Sequence, residues 1–378
     1  MSPAAGFVPP PYPYDRLIPV REVAARHEGG AVDLSVGTPC DPPPAVVLDA
    51  LAGSDSERGY PPSVGTAQLR AAAIEWMRRR FGVDLDGQQL AACVGTKELV
   101  VGVPHWLRLR DPSRDTVLYP AVSYPSYAMG AELAGCRAVP VPVDEHWRID
   151  LSAVDPGDAA RALCLWVNTP ANPTGAVDDR AAAAAWGREH GVPVFSDECY
   201  VEFTWAGDAH GSDGTAGRTI LESGTAGVVA VHSLSKRSNL AGLRVGFYAG
   251  DADLVHYLAE VRKHSGLMVP GPAQAAAAAA LADQEHVQQQ RHRYLGRLER
   301  LRAVFAATGL DAPLPEGGFY LWIPAPDGDA WALTERLAEQ LGVVVSPGEF
   351  YGPASTGHVR VAVVQPDDQI DLIIRRAG

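Results

Sequence analysis

The pattern of apolar and polar positions predicts alternating helices and strands along most of the chain. Apolar positions recur at helical spacing over residues 66–81 and again over residues 97–109. Apolar runs of strand length are separated by helical segments: LAACVG at 90, TVLYP at 116, RAVPVPV at 137, ALCLWVN at 162, VPVFSD at 192, GVVAVHS at 227 and LRVGFYAG at 243. Strands that alternate with helices indicate βαβ units, so we predict an α/β domain whose mostly parallel sheet is covered on both faces.

The two ends of the chain have a different character. Residues 9–20, PPPYPYDRLIPV, are rich in proline, so we predict an arm there without a regular helix or a central strand. A long helical stretch over residues 272–308 precedes the short apolar runs FYLWI, GVVVS and HVRVAV, which indicate a smaller α+β unit. We therefore predict an N-terminal arm with a small-domain segment, a large domain and a small C-terminal domain, over residues 1–45, 46–275 and 276–378.

Composition and charge exclude several classes of protein. The chain has 32 basic and 45 acidic side chains, and this balance disfavours a nucleic-acid partner because nonspecific affinity for phosphates comes from clustered Lys and Arg. No apolar stretch approaches the roughly 18 residues of a membrane-spanning helix. No basic residue precedes Arg16, as a secretory signal would require, and the five cysteines form no Cys-x-x-Cys pair. We expect a cytoplasmic protein, and no His or Cys spacing predicts a metal site.

Polar residues follow several of the predicted strands, and open α/β sheets bind ligands beyond the carboxyl ends of their strands. Gly95, Thr96 and Lys97 lie where a strand leads into a helix, so backbone N–H groups there could bind an anion. An ordinary helix cap at Thr96 would explain the same residues. Tyr124, in YPSY, could stack its ring on a flat ligand or be a surface aromatic residue.

Three further segments carry candidate residues. The turn NTPANPTG, residues 168–175, offers amides for hydrogen bonds, although turn formation also favours this composition. Asp197 ends a buried apolar strand, where an acid either caps a turn or meets a buried cation. Lys236 stands among serines, with Arg244 shortly after it, and a lone lysine is usually a solvated charge. Each segment alone leaves both interpretations open.

Taken together, these segments resemble the fold type I pyridoxal-phosphate-dependent aminotransferases, the class that includes aspartate aminotransferase. The resemblance covers nearly the whole chain, and it is carried in order by the motifs GTKE, YPSY, NPTG, DECY, SLSKRSNLAGLRVGF, EGGFYLW and HVRVAV. It implies the α/β fold of that class, pyridoxal 5′-phosphate as cofactor, and amino acids and 2-oxo acids as substrates. It also implies a homodimer with shared active sites.

The resemblance implies roles for the residues around the cofactor ring. Lys236 would be the Schiff-base lysine, which serves both as tether and as base. Asp197 would pair with the pyridine nitrogen and keep it protonated. Asn172 and Tyr200 would bond the phenolic oxygen of the ring, and Tyr124 would stack on the ring.

The resemblance also implies how the phosphate and the substrate are held. The implied phosphate ligands are Gly95, Thr96, Lys97, Ser233, Ser235 and Arg244. Arg360, in HVRVAV, would bind the substrate α-carboxylate bidentately, with Gly37 and Asn172 beside the substrate. Tyr60 would reach the cofactor phosphate of the other subunit.

Within this family, the phrases DLSVGTPCDPPP, SDECYVEF and EVRKHSGLMVP most resemble the bacterial N-succinyl-diaminopimelate aminotransferases of the lysine and cell-wall pathway. This implies glutamate as amino donor and N-succinyl-2-amino-6-oxopimelate as acceptor. An aminotransferase for another amino acid (aromatic, aspartate or a specialised metabolite), a lyase on the same cofactor and a noncatalytic regulator stay open. Because the acceptor is a long anion, we hypothesise that Arg237, Arg262 or Lys263 contacts its distal carboxylates.

Overall fold

The computed structural model describes residues 6–56, 58–205 and 217–378. Within these ranges the α-helices are α1 Ile18–Ala24, α2 Ala45–Ala52, α3 Ala67–Phe81, α4 Thr96–Arg110, α5 Ser126–Leu133, α6 Pro156–Arg161, α7 Arg180–His190, α8 Leu234–Arg237, α9 Ala252–His264, α10 Gly271–Ala282, α11 Glu285–Ala307, α12 Ala330–Leu341 and α13 Asp367–Ala377. The strands are β1 Val32–Asp33, β2 Leu90–Cys93, β3 Thr116–Pro120, β4 Arg137–Val141, β5 Ala162–Asn168, β6 Val194–Asp197, β7 Val228–Ser233, β8 Gly246–Gly250, β9 Tyr320–Pro324, β10 Val343–Val344, β11 Ser346–Pro347 and β12 His358–Ala362. None of these helices is both long enough and apolar enough to cross a membrane.

The central sheet has seven strands in the order β2-β8-β7-β6-β5-β3-β4. Strand β8 is antiparallel to both of its neighbours, whereas β7, β6, β5, β3 and β4 pair in parallel. Strand β2 therefore runs in the same direction as the parallel strands. The prediction of a mostly parallel sheet is confirmed, and the carboxyl ends of β2, β5, β6 and β7 lie along one edge.

Both faces of this sheet are buried, which explains the continuous apolar runs in the sequence. Every residue of β5, β6 and β7 is buried. Leu165 and Val167 pack in the core on one face, while Cys164 and Trp166 pack on the other, as the two-residue period of a strand requires. Full burial of one leucine or valine side chain contributes about 1.5–3 kcal/mol, so the sheet is a stable base for the loops at its edge.

A second, smaller unit contains the short strands. Strand β12 pairs antiparallel with β9 and β11, and β1 pairs in parallel with β10. Val32 and Leu34 share a core with residues of α11, α12 and α13. The residues that follow the arm therefore pack with the C-terminal part of the chain, as expected for a small α+β unit.

The predicted arm contains more regular structure than expected. A 3-10 helix, Pro13–Leu17, runs directly into α1. Pro19 lies in the first turn of α1, where its missing N–H leaves no intrahelical hydrogen bond unmade. The expectation that residues 9–20 contain no helix is therefore wrong for residues 13–20.

The long helix predicted over residues 272–308 is divided in two. Asp283 has an extended backbone (φ −98°, ψ 117°), and its Oδ1 accepts a hydrogen bond of 2.9 Å from the N–H of Glu285. This side chain satisfies a donor at the start of α11 and separates it from α10. Helix α10 packs on α2 and α3, whereas α11 packs on α13. The domain boundaries at residues 45 and 275 stay predictions.

Candidate active site

A cavity of about 440 Å³ lies where β2, β5, β6 and β7 end. All of the predicted site residues except Gly95 and Tyr60 line it: Gly37, Thr96, Lys97, Tyr124, Asn172, Asp197, Tyr200, Ser233, Ser235, Lys236, Arg244 and Arg360. The arm contributes Tyr12 and Tyr14 to the same wall. Parts of the chain that are far apart in sequence therefore meet at one site.

Adjacent strand ends position two of the central residues. Asp197 is the last residue of β6, and Ser233 is the last residue of β7. The side chain of Ser233 accepts a hydrogen bond of 3.1 Å from the N–H of Ser235 and so caps the short helix α8, which carries Lys236. The cap turns the chain out of the strand direction, and Lys236 lines the same cavity as Asp197.

Lys236 is only partly accessible to solvent, and its Nζ donates a hydrogen bond to the carbonyl of Gly37. Burial lowers the pKa of Lys236 to about 8, and the positive charges of Arg360 and Arg244 act in the same direction. About a tenth of this amine is therefore neutral at pH 7, and about half at pH 8. A neutral amine is the form of lysine that attacks carbonyl groups.

Asp197 is buried, and each of its carboxylate oxygens has a protein donor. The hydroxyl of Tyr127 donates to Oδ2 at 2.8 Å, and the N–H of Cys199 donates to Oδ1 at 3.2 Å. Burial raises the pKa of Asp197, whereas both donors and the charge of Lys236 lower it. A carboxylate held in this way can pair with a protonated nitrogen of a ligand.

Arg360 is a buried cation that forms no ion pair within residues 6–56, 58–205 and 217–378. Its Nη1 donates to Oδ1 of Asn172 at 2.7 Å, and its Nη2 donates to the carbonyl of Ser35 and, at 3.4 Å, to the hydroxyl of Tyr14. Its Nε has no hydrogen-bond partner in the described part of the chain. Burying an uncompensated charge is costly, so the site is suited to an anion that pairs with this guanidinium.

The start of α4 and the side chain of Arg244 form a second candidate anion site. Helix α4 begins at Thr96, and its first N–H groups have no intrahelical partners. Lys97 and Arg244 add positive charge on the same wall of the cavity. Gly95 lies behind this wall with φ 72°, and a Cβ at this position would lie 2.2 Å from Nη2 of Arg244. The backbone conformation therefore favours glycine here, and a larger residue would also displace the guanidinium of Arg244.

Tyrosines form much of the remaining wall. The hydroxyls of Tyr200 and Tyr320 share a hydrogen bond of 2.8 Å. Nζ of Lys97 lies 5.8 Å from the ring centre of Tyr124 and 5.9 Å from that of Tyr12. Tyr124 and Tyr200 therefore lie where a bound ring could contact them.

Some residues singled out in the sequence lie outside the cavity. Tyr60 is 95% exposed, so its implied contact with a second subunit stays a prediction. The hypothesis that Arg237, Arg262 or Lys263 contacts the substrate is wrong. Arg237 and Arg262 are buried in ion pairs with glutamates, and the exposed Lys263 pairs with a glutamate at 3.6 Å. None of these three basic residues lines the cavity.

Sequence reasoning missed part of the cavity wall: Tyr12, Tyr14, Val36, Thr38, Val100, Tyr127, Cys199, Ala241 and Tyr320. Tyr127 could have been found, because it follows Tyr124 by one helical turn in the motif YPSY. Tyr12 and Tyr14 could not, because nothing in a proline-rich arm specifies the surface on which it packs.

Comparison with known proteins identifies the family. The family model "Aminotransferase class I and II" matches residues 30–376. OxyQ of Streptomyces rimosus, a 4-dedimethylamino-4-oxo-anhydrotetracycline transaminase, is 40% identical over 96% of this chain and 97% of its own length. "Probable aminotransferase Rv1178" of Mycobacterium tuberculosis is 39% identical over 99% of this chain and 87% of its own. A Thermus thermophilus structure described as "probable N-succinyldiaminopimelate aminotransferase" has a TM-score of 0.84 and 30% identity, covering 97% of this chain and 99% of that one.

The cavity fits pyridoxal phosphate chemically. Lys236 offers an amine for its aldehyde, Asp197 a buried carboxylate for its ring nitrogen, and the start of α4 with Arg244 donors for its phosphate. Arg360 is not needed for these cofactor contacts, and its Nε has no hydrogen-bond partner among the described residues, so it could bind the carboxylate of an amino acid. With a family match over nearly its whole length, the chain belongs to the class I and II aminotransferases and is a pyridoxal-phosphate-dependent enzyme.

Proposed function

We propose that this aminotransferase moves the amino group of glutamate to N-succinyl-2-amino-6-oxopimelate, which yields 2-oxoglutarate and N-succinyl-LL-diaminopimelate. One observation carries the choice of substrates. The cavity holds a cationic side chain, Lys97, beyond those that the phosphate and one α-carboxylate need. The likeness to the Thermus thermophilus structure supports the same choice.

In this proposal, residues on the cavity wall hold the cofactor and move one proton. Bound pyridoxal phosphate supplies an electron sink for the electron pair left at the substrate Cα. Lys236 tethers the cofactor, and its Nζ, once displaced by the substrate amine, takes the proton from Cα. Asp197 holds the ring nitrogen in its protonated form, Asn172 and Tyr200 donate to the phenolic oxygen, and Tyr124 covers the ring.

Arg360 binds the α-carboxylate of either substrate. Asn172 contacts Nη1 of Arg360 at 2.7 Å and so fixes the plane of the guanidinium. Gly37 lines the same cavity, and a Cβ there would lie 2.2 Å from the hydroxyl of Tyr320. The absence of a side chain at Gly37 therefore leaves room for Tyr320, while the carbonyl of Gly37 accepts a hydrogen bond from Nζ of Lys236.

Lys97 is the group that binds a second carboxylate. Its backbone N–H belongs to the start of α4, while its ammonium forms no ion pair with the residues described and lies between the rings of Tyr12 and Tyr124. Glutamate and the pimelate acceptor both carry a carboxylate far from the reacting carbon. One cationic side chain can serve both in turn, because the two substrates occupy the site successively.

Substituting Lys97 by methionine tests this assignment. A hydrogen bond to a charged group is worth about 1.5–3 kcal/mol, so we expect Lys97→Met to raise KM for glutamate and for the succinylated pimelate about tenfold or more. An amino donor without a distal carboxylate should be unaffected. Lys263→Met, which removes the same charge outside the cavity, is the matched control. Equal losses with both kinds of donor would show that Lys97 does not bind the distal carboxylate.

The identity of the acceptor is tested by a panel of amino donors and keto acceptors with purified enzyme. The proposal predicts exchange with glutamate and the succinylated pimelate. Exchange with aromatic substrates and none with the pimelate would overturn this assignment and leave the enzyme class intact. A lyase would release ammonia without any keto acceptor, and a half-reaction with glutamate alone distinguishes it.

The similarity to OxyQ favours a second candidate, a polycyclic ketone of specialised metabolism as acceptor. The aromatic side chains of Tyr12 and Tyr124 beside the cavity suit a flat ring system. The two candidates make opposite predictions for Lys97→Met, because a neutral ketone does not need the ammonium. An anhydrotetracycline ketone in the acceptor panel tests this candidate directly.

We also propose a cytoplasmic homodimer with shared active sites. Tyr60 is almost fully exposed in the single chain and has no role in its own cavity. In a dimer it would reach the phosphate of the other subunit. Sedimentation of the holoenzyme should give the mass of two chains, and Tyr60→Phe should weaken cofactor binding; a monomer with full activity would contradict this proposal.

A further inference from the structure

Tyr127 contacts Asp197 from the side of α5 and forms part of the cavity wall. Its side chain is fully buried, and its hydroxyl donates to Oδ2 of Asp197 at 2.8 Å. Its ring stacks on Trp166 with centroids 5.4 Å apart and packs edge-on against Tyr124 at 6.4 Å. These contacts fix the ring, so the direction of the hydroxyl is set before any ligand binds.

The helix that carries Tyr127 is itself held in place. Helix α5 packs on α4, and a Cβ at Gly130 would lie 3.1 Å from the carbonyl of Val100 in α4. The two helices are therefore in close contact at Gly130, about one helical turn after Tyr127. Since α4 also begins at the proposed phosphate site, Tyr127 and the phosphate donors lie on two helices that are in direct contact.

We propose that Tyr127 is a positioning residue that keeps Asp197 ionised and oriented toward the ring nitrogen of the cofactor. Asp197 is buried, so desolvation favours its neutral form, which could not hold a pyridinium. The tyrosine hydroxyl offsets part of that cost at Oδ2, and the N–H of Cys199 does so at Oδ1. Each oxygen keeps a lone pair for the ligand, so these donors orient the carboxylate without competing for it.

This inference rests on the proposed role of Asp197, and the test separates the two. The probes are pyridoxal phosphate and its analogue in which carbon replaces the ring nitrogen. Both carry the same phosphate and aldehyde, so the ratio of their dissociation constants for the apoenzyme isolates the contact with the ring nitrogen. The ratio is measured by absorbance titration of the wild type, Tyr127→Phe, Asp197→Asn and Tyr248→Phe.

Tyr248→Phe is the matched control, because it also removes one oxygen from a fully buried tyrosine, but this hydroxyl does not contact Asp197. We expect Asp197→Asn to abolish the preference for pyridoxal phosphate and Tyr127→Phe to reduce it about tenfold, as for the loss of one hydrogen bond to a charged group. Tyr248→Phe should keep the wild-type ratio.

The pH dependence gives a second readout that a purely structural role would not change. Without the hydroxyl, Asp197 takes up a proton more readily. As the pH is lowered, Tyr127→Phe should therefore lose its preference for pyridoxal phosphate over the analogue at a higher pH than the wild type does. If Tyr127→Phe weakens both ligands equally, or changes neither, Tyr127 does not position Asp197. If Asp197→Asn keeps the preference for pyridoxal phosphate over the analogue, the role proposed for Asp197 is wrong.

Discussion

Lys236 and Arg360 lie in the same cavity and are both shielded from solvent, yet only the lysine has a pKa close to neutral pH. An alkyl ammonium can release its proton when burial disfavours the charge, whereas a guanidinium keeps its proton in proteins. The lysine is thereby available as a nucleophile, and the arginine keeps a permanent charge for a carboxylate. The difference between the two residue types therefore explains why the lysine can form a covalent bond while the arginine binds an anion.

The lowered pKa of Lys236 leads to a prediction about pH. Because only the neutral amine attacks an aldehyde, the rate at which the apoenzyme attaches pyridoxal phosphate should rise with pH and level off above about 8. Stopped-flow absorbance between pH 6 and 10 measures this rate, each limit being about two pH units from the expected midpoint. Nα-acetyl-lysine, whose amine has an ordinary pKa, is the reference. If the rate levels off only at the pH at which it does so for the reference amine, the assigned environment of Lys236 is wrong.

At the scale of elements, the start of α4 depends on a backbone conformation that the sequence signals only by a glycine. Gly95 has φ 72° and ψ 150°, a region that is essentially restricted to glycine. This conformation turns the chain from β2 into α4 and lets Arg244 approach the backbone. The turn, the helix start and the guanidinium thus depend on one another.

Gly95→Ala should therefore affect both folding and cofactor binding. We expect the free energy of unfolding to fall by about 1–3 kcal/mol from backbone strain, and the affinity for pyridoxal phosphate to fall as Arg244 is displaced. Gly82→Ala is the control, since Gly82 also has positive φ (67°) but open space around it. It should lose about 1 kcal/mol of stability and keep the wild-type affinity. Thermal unfolding and a cofactor titration measure the two effects, and equal affinities in both variants would contradict the role of Gly95.

The elements themselves were largely predictable because burial imposes a periodic pattern on them. The apolar runs at 116, 162 and 227 all became buried strands of the central sheet. The break between α10 and α11 was not predicted, because periodicity alone does not show that the side chain of Asp283 caps the next helix. The order of strands and the reversed direction of β8 depend on long-range pairing, which no local pattern encodes.

At the scale of the whole molecule, the site requires three parts of the chain that share no local sequence signal. The large unit supplies Asp197 at the end of β6 and Lys236 on α8, the small C-terminal unit supplies Arg360, and the arm supplies Tyr14, whose hydroxyl contacts that arginine. The motifs identified the residues of the first two parts through family resemblance. The role of the arm emerged only from packing, because the contact of Tyr14 with Arg360 joins residues that are distant in sequence.

Every role assigned to this site depends on Lys236 carrying pyridoxal phosphate as a covalent C=N adduct. Borohydride reduction of the purified holoenzyme, followed by peptide mass mapping, detects this bond. We expect the reduced pyridoxyl phosphate adduct on the peptide that contains Lys236, and none in Lys236→Ala treated in the same way. A protein that takes up no cofactor, or an adduct on another lysine, would show that these roles are wrongly assigned.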